Sequence, residues 1–152
     1  TRSNITLVII SAGWELYISE VLKGIDLTYI DNTEMLVEHV KKNMSGTPLI
    51  ANKIVNESGK KWKIYSPWLR FVCQKSTPCK GIILDSIKKL GYYAIVIGNS
   101  ETDMCMAEKA DFVFATGSLI NTIKNTSIKY AEFTNFNEIT NKIMDIAINE
   151  SI

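Results

Sequence analysis

The chain has 152 residues, 46% of them hydrophobic and 22% charged, with a net charge of +1. That length accommodates one domain with its own core, and the near-neutral charge excludes bulk electrostatic attraction to nucleic acid or to a membrane surface. Apolar runs such as residues 5–10 and 94–97 are far too short to cross a bilayer. The sequence shows no basic leader followed by a long apolar stretch, so the expected location is the cytoplasm. Cys73, Cys79 and Cys105 have no Cys-x-x-Cys spacing and read as reduced intracellular thiols. A metal site built on Cys73 and Cys79 would need further ligands, and the single histidine, His39, is far away in sequence.

In chain order, residues 5–10 (ITLVII) form a continuous β-branched run, the pattern of a strand covered on both faces. Ser11-Ala12-Gly13 predicts a tight turn. Residues 14–22 carry Trp14, Tyr17, Ile18, Val21 and Leu22 at helical spacing, with Gly24 as the stop. A second helix is expected over 31–44, with Met35, Leu36, His39, Val40 and Met44 roughly on one face, ended by residues 45–48 (SGTP). His39 there reads as a helix residue rather than a catalytic one. Residues 49–55 and 62–65 are expected as antiparallel strands joined by the turn sequence 56–60. Trp62, Tyr65 and Trp68 could line a site, although packing under a loop is the commoner fate of such aromatics.

An amphipathic helix follows over 82–90, closed by Gly91, then a buried strand over 94–97 that breaks at Gly98 into the polar loop Asn99-Ser100-Glu101-Thr102-Asp103. A helix over 104–109, a strand over 111–115, a short helix over 118–124, a strand over 129–133 and a terminal amphipathic helix over 136–148 complete the chain. Strands alternating with helices predict a single α/β domain over 1–152, with a mainly parallel Rossmann-like sheet, flanking helices and one small β-hairpin.

Three segments carry chemistry. Ser11, at the end of a buried strand and followed by the amides of Ala12 and Gly13, suits a phosphate oxygen; taken alone it reads more readily as a helix cap, because Ser before a helix is commonplace. Lys80 falls in the first turn of a helix, where the macrodipole disfavours a cation unless an anion lies nearby. The donors of 99–103, after a strand at whose carboxyl end open α/β sheets place ligands, suit Mg²⁺. Taken alone, they read equally as a turn and a helix cap.

Their order decides between these readings. Strand–Ser11–Ala12–Gly13, then Cys79-Lys80-Gly81 before a helix, then Ile97-Gly98-Asn99-Ser100-x-Thr102-Asp103, then residues 110–115 (ADFVFA) and Leu119 resemble the second, third and fourth motifs of the haloacid dehalogenase-like phosphatases. The resemblance is closest to the phosphoserine phosphatase-like branch, including the methionine-salvage and phosphoethanolamine/phosphocholine phosphatases. It covers residues 7–119, with a helical insertion at about 31–47.

The resemblance implies that Ser11, with the Ala12 and Gly13 amides, binds the transferring phosphoryl group. It implies that Lys80 neutralises the nucleophile–phosphate pair, and that Asn99 and Asp103 hold Mg²⁺ directly or through water. Positioning and charge stabilisation would then do most of the catalysis of phosphomonoester hydrolysis on a small phosphorylated metabolite.

Two departures stand against it. The family's first motif, Asp-x-Asp on the central strand with the cap segment after it, does not occur in this sequence. The family's usual Asp is Asn99 here, which can ligate Mg²⁺ but supplies no charge. In the family the first-motif strand lies between the strands of 5–10 and 93–97, so without it two rows of backbone groups lack partners, at about 1–3 kcal/mol for each buried group. The expectation is that something fills this seam: an upstream segment bearing the nucleophile, a strand from another chain through self-association, or closure of the two neighbouring strands onto each other. The competing readings are a catalytically inactive phosphate-binding or regulatory protein on the same fold, and an unrelated flavodoxin-like or receiver-like module.

Overall fold

The computed structural model describes residues 5–68, 73 and 78–149. Two sheets organise it. In the first, β1 (Ile9–Trp14) and β2 (Leu27–Tyr29) flank β3 (Thr47–Asn56), both parallel to it, in the order β1-β3-β2. The far end of β3 pairs antiparallel with β4 (Trp62–Tyr65), from Lys53↔Tyr65 to Asn56↔Trp62, which is the expected hairpin. In the second, β5 (Ile95–Gly98), β6 (Phe112–Ala115) and β7 (Tyr130–Glu132) run parallel in sequence order. Among the described residues six α-helices connect or flank the strands: α1 (Glu15–Val21), α2 (Thr33–Lys41), α3 (Lys80–Lys88), α4 (Met104–Ala107), α5 (Ser118–Ile123) and α6 (Phe136–Asn149). The chain is an α/β protein with parallel, helix-flanked, Rossmann-like sheets.

Among the described residues the two sheets are not hydrogen-bonded to each other. Among the described residues β1 pairs only with β3, and β5 only with β6, so each of these two strands has one unpaired edge. One core cluster lies around the second sheet (Val96, Val113, Ala115, Leu119, Ile123) and another around the first (Ile30, Leu36, Val40, Ile50, Trp68, Ile83). Ile10 of β1 packs against both clusters, which brings the open side of the first sheet up to the second. The buried run Leu49-Ile50-Ala51 on β3 fits a strand paired on both sides and covered on both faces.

Three expectations need correction. The first strand starts at Ile9, and Ser11-Ala12-Gly13 is not a turn that ends it but an irregularity within β1. The register passes from Ile10↔Ile50 to Trp14↔Asn52, so β3 advances two residues while β1 advances four. The surplus is absorbed where Ser11 Oγ accepts a hydrogen bond from the Gly13 amide at 3.0 Å, a local bond that competes with the ladder. The helix after it is consequently capped at Trp14, not Ser11, and has no side-chain cap.

Second, α1 does not bury the apolar face its spacing suggests: Leu16, Tyr17 and Val21 are exposed, because the helix rests on β1 and β3 and no other described element covers its outer side. Third, α2 is shorter than 31–44, capped by Asn32 Oδ1 accepting from the Met35 amide at 2.8 Å. It buries Leu36, His39 and Val40 and leaves Met35 exposed, while Met44, also exposed, lies beyond its end. β2 is an unexpected strand; three residues give no periodicity to read. Trp68 is fully buried and donates its indole N–H to the Ile30 carbonyl, while Trp62 and Tyr65 stay exposed on β4.

Candidate functional site

The polar loop after β5 is built around one carboxylate. Gly98 ends the strand, and a Cβ there would come within 3.0 Å of Asp103 Cβ and of Leu119, so only glycine leaves room for the chain to fold back. Residues 101–103 make a 3₁₀ turn (Glu101–Asp103), with Ser100 and Asp103 capping each other's backbone. Asp103 Oδ2 accepts from the Asn99 amide at 2.9 Å and the Ser100 amide at 3.1 Å. Its other oxygen, Oδ1, accepts from Lys80 Nζ at 2.5 Å.

This is a buried ion pair, with side-chain exposures of 11% for Lys80 and 7% for Asp103. Burial pushes the Asp103 carboxyl up, but the Lys80 ammonium and the Asn99 and Ser100 amides outweigh it and hold the group below the usual carboxylate range. The anion that a cation in the first turn of α3 requires is therefore Asp103, reached across 23 residues of sequence.

The approach of α3 to the loop depends on Gly81. A Cβ at that position would stand 2.3 Å from the Cys105 carbonyl oxygen, so α3 and α4 pack backbone to backbone beside Lys80. The other end of α3 is tied by Lys88, which donates to Asp111 Oδ1 at 2.7 Å and to the Lys109 carbonyl, and by the Lys109–Asp85 pair. Asp111 in turn accepts from the Ala94 amide at 2.7 Å.

Asn99 is exposed at the mouth of the loop, and its side chain makes no hydrogen bond among the described residues. Its carbonyl accepts from the Leu119 amide, under the close approach of Gly117 at φ 57°. Lys80, Asp103 and Asn99 are thus brought together. Ser11, Ala12 and Gly13 lie at the carboxyl end of β1 on the first sheet, and no hydrogen bond among the described residues joins them to Lys80 or Asp103.

Sequence reasoning missed two residues at that end of the first sheet. Asn52 is buried on β3, donates to the Ala12 carbonyl at 2.8 Å and accepts from Ser66 Oγ at 2.5 Å, so it fixes the backbone that presents Ser11. An asparagine inside the apolar run 49–55 was the available signal. Asp31, following β2, has one buried carboxylate oxygen with no hydrogen-bond partner among the described residues. His39 is buried on α2 and donates its Nε2–H to the Gly46 carbonyl at 2.9 Å.

No protein-family model matches the chain. It is 25% identical over 145 residues to 2-hydroxy-3-keto-5-methylthiopentenyl-1-phosphate phosphatase of Bacillus cereus, and 24% identical to the protein of the same name from Bacillus thuringiensis. In both cases the match covers 93% of this chain and 57% of the relative, so the chain spans little more than half the length of these relatives. The similarity supports a relationship to haloacid dehalogenase-like phosphatases. No helix among the described residues is long and apolar enough to cross a membrane.

Proposed function

We propose that this chain forms the phosphate-holding part of a Mg²⁺-dependent haloacid dehalogenase-like phosphomonoester hydrolase of the phosphoserine phosphatase-like branch, acting on a small phosphorylated metabolite. The observation that carries the proposal is the buried Lys80–Asp103 pair at the carboxyl end of β5. A buried ion pair is a poor stabilising device compared with apolar packing, and a cation held at a strand end is well placed for a dianionic ligand.

In this reading Lys80 neutralises the phosphoryl group and its nucleophile. Ser11 and the Ala12 and Gly13 amides bind phosphoryl oxygens, with Asn52 holding their backbone in place. Of the metal-directed donors, Asn99 is the accessible one. Asp103 has two oxygens already engaged, and a carboxylate's remaining lone pairs suit contact through water. When bound, Mg²⁺ supplies charge neutralisation at the transferring group.

The open edges of β1 and β5 support the placement of the nucleophile. A strand bearing aspartate, seated between them, would satisfy both edges and lie between Ser11 and Lys80 in the sheet.

The test is hydrolysis of a panel of small phosphomonoesters by the complete protein with Mg²⁺. Lys80→Met is expected to lower turnover by about 10²-fold or more, the scale of one lost charge-stabilising donor. Hydrolysis at the unchanged rate by a folded Lys80→Met protein overturns the assignment. Calorimetric binding of inorganic phosphate that depends on Lys80, without hydrolysis, would instead identify a non-catalytic phosphate-binding protein.

A further inference from the structure

The three cysteines, scattered in sequence, converge in space. Their Sγ atoms all lie within 4.8 Å of one another, and Cys73 Sγ is 3.6 Å from Cys105 Sγ. Cys79 is buried and caps the N-terminus of α3, while Cys73 and Cys105 are partly exposed. Three sulfurs bound tetrahedrally at a Zn–S distance of ~2.3 Å stand roughly 3.8 Å apart; the Cys73–Cys105 pair is already at that spacing, and Cys79 needs to approach by at most about 1 Å. We propose that Cys73, Cys79 and Cys105 form a binding site for a thiophilic cation, Zn²⁺ in the first instance, distinct from the oxygen-donor loop after β5.

The donor chemistry selects the ion. Three thiolates are soft ligands that favour Zn²⁺ or Cu⁺ over Mg²⁺ or Ca²⁺, whereas the donors at 99–103 are all hard oxygens. The partial exposure of Cys73 and Cys105 provides the way in and leaves a fourth position for water. Thiolate ligands are negative, and the positive end of the nine-residue helix α3 lies at Cys79. The ion would tie Cys73 to the start of α3 and to α4, the two elements whose contact at Gly81 sets the distance between Lys80 and Asp103. The inference stands on the sulfur geometry alone and does not require the phosphatase reading.

The experiment is titration of the reduced protein with Co²⁺ and, separately, with Zn²⁺ against a chromophoric chelator, under a non-thiol reductant. The expected result is one ion per chain, with thiolate-to-cobalt charge-transfer absorption that Zn²⁺ abolishes. Cys105→Ser and Cys73→Ser should each weaken zinc binding by more than about tenfold, the scale lost even with an outer-shell partner. As a check independent of the variants' folding, zinc should raise the melting temperature of the unmodified protein in proportion to its occupancy. No charge-transfer band in the unmodified protein, or an undiminished band in Cys105→Ser, overturns the proposal.

Discussion

Replacing Lys80 with methionine keeps the aliphatic stem and removes the charge, leaving Asp103 buried without its cation. Both side chains are almost completely shielded from water, so their interaction is little screened by solvent. Breaking a buried pair by removing one partner costs about 3–5 kcal/mol. Asp103 keeps the Asn99 and Ser100 amides, which places the expected loss near the lower end, about 3 kcal/mol. With a urea dependence of about 2 kcal/mol per molar, the unfolding midpoint should fall by about 1.5 M.

The pH dependence gives a second reading. The Asp103 carboxyl lies below its ordinary range in the folded protein, so its contribution is fully present above the unfolded value and is lost as pH falls through the folded one. In the Lys80→Met protein the buried carboxylate is a liability that protonation relieves. The stability gap between the two proteins should therefore close on acidification below the ordinary carboxylate range. The double variant Lys80→Met/Asp103→Asn should be less unstable than the two single losses summed. Urea unfolding at neutral and acid pH, followed by circular dichroism, measures all of this. A loss below about 1 kcal/mol at neutral pH, or a gap that does not narrow in acid, would refute the view that this pair is buried and coupled.

Three further outcomes are expected. Gly81→Ala should destabilise by about 1–3 kcal/mol through overpacking against the Cys105 carbonyl, although alanine is intrinsically the better helix former by about 1 kcal/mol; a stabilised variant in thermal unfolding would contradict the backbone contact. Trp68→Ala should cost about 3–5 kcal/mol and remove the blue-shifted part of the tryptophan emission, because Trp14 and Trp62 are far more exposed; an unchanged emission maximum would contradict the burial. Asn52→Ala should cost about 1–3 kcal/mol by leaving the Ala12 carbonyl and Ser66 without their partner, and should weaken phosphate binding with Lys80 intact, measured by calorimetry beside urea unfolding.

Much of the fold could be read from local pattern. The buried run at β5, the helix stop at Gly91, the 56–60 turn and the antiparallel pairing of β3 with β4 all rest on interactions within a few residues, where periodicity and turn chemistry act directly. The elements that were misjudged are those whose form depends on distant partners. Ser11-Ala12-Gly13 remains in β1 because β3 supplies a ladder and Asn52 holds Ala12. The helical spacing of α1 predicted burial, but only a covering element could have produced it.

The same division holds for the site. Sequence determined the donor inventory: a hydroxyl with two following amides, a lysine in a first helical turn, an oxygen-rich loop after a strand and three thiols without metal-site spacing. Only the tertiary structure decided which of these meet. It joined Lys80 to Asp103 and gathered Cys73, Cys79 and Cys105, while leaving Ser11 on the other sheet, because pairing across tens of residues is set by how α3 packs on α4 and not by any local preference. Chain chemistry is encoded residue by residue, whereas proximity is a property of the packed whole.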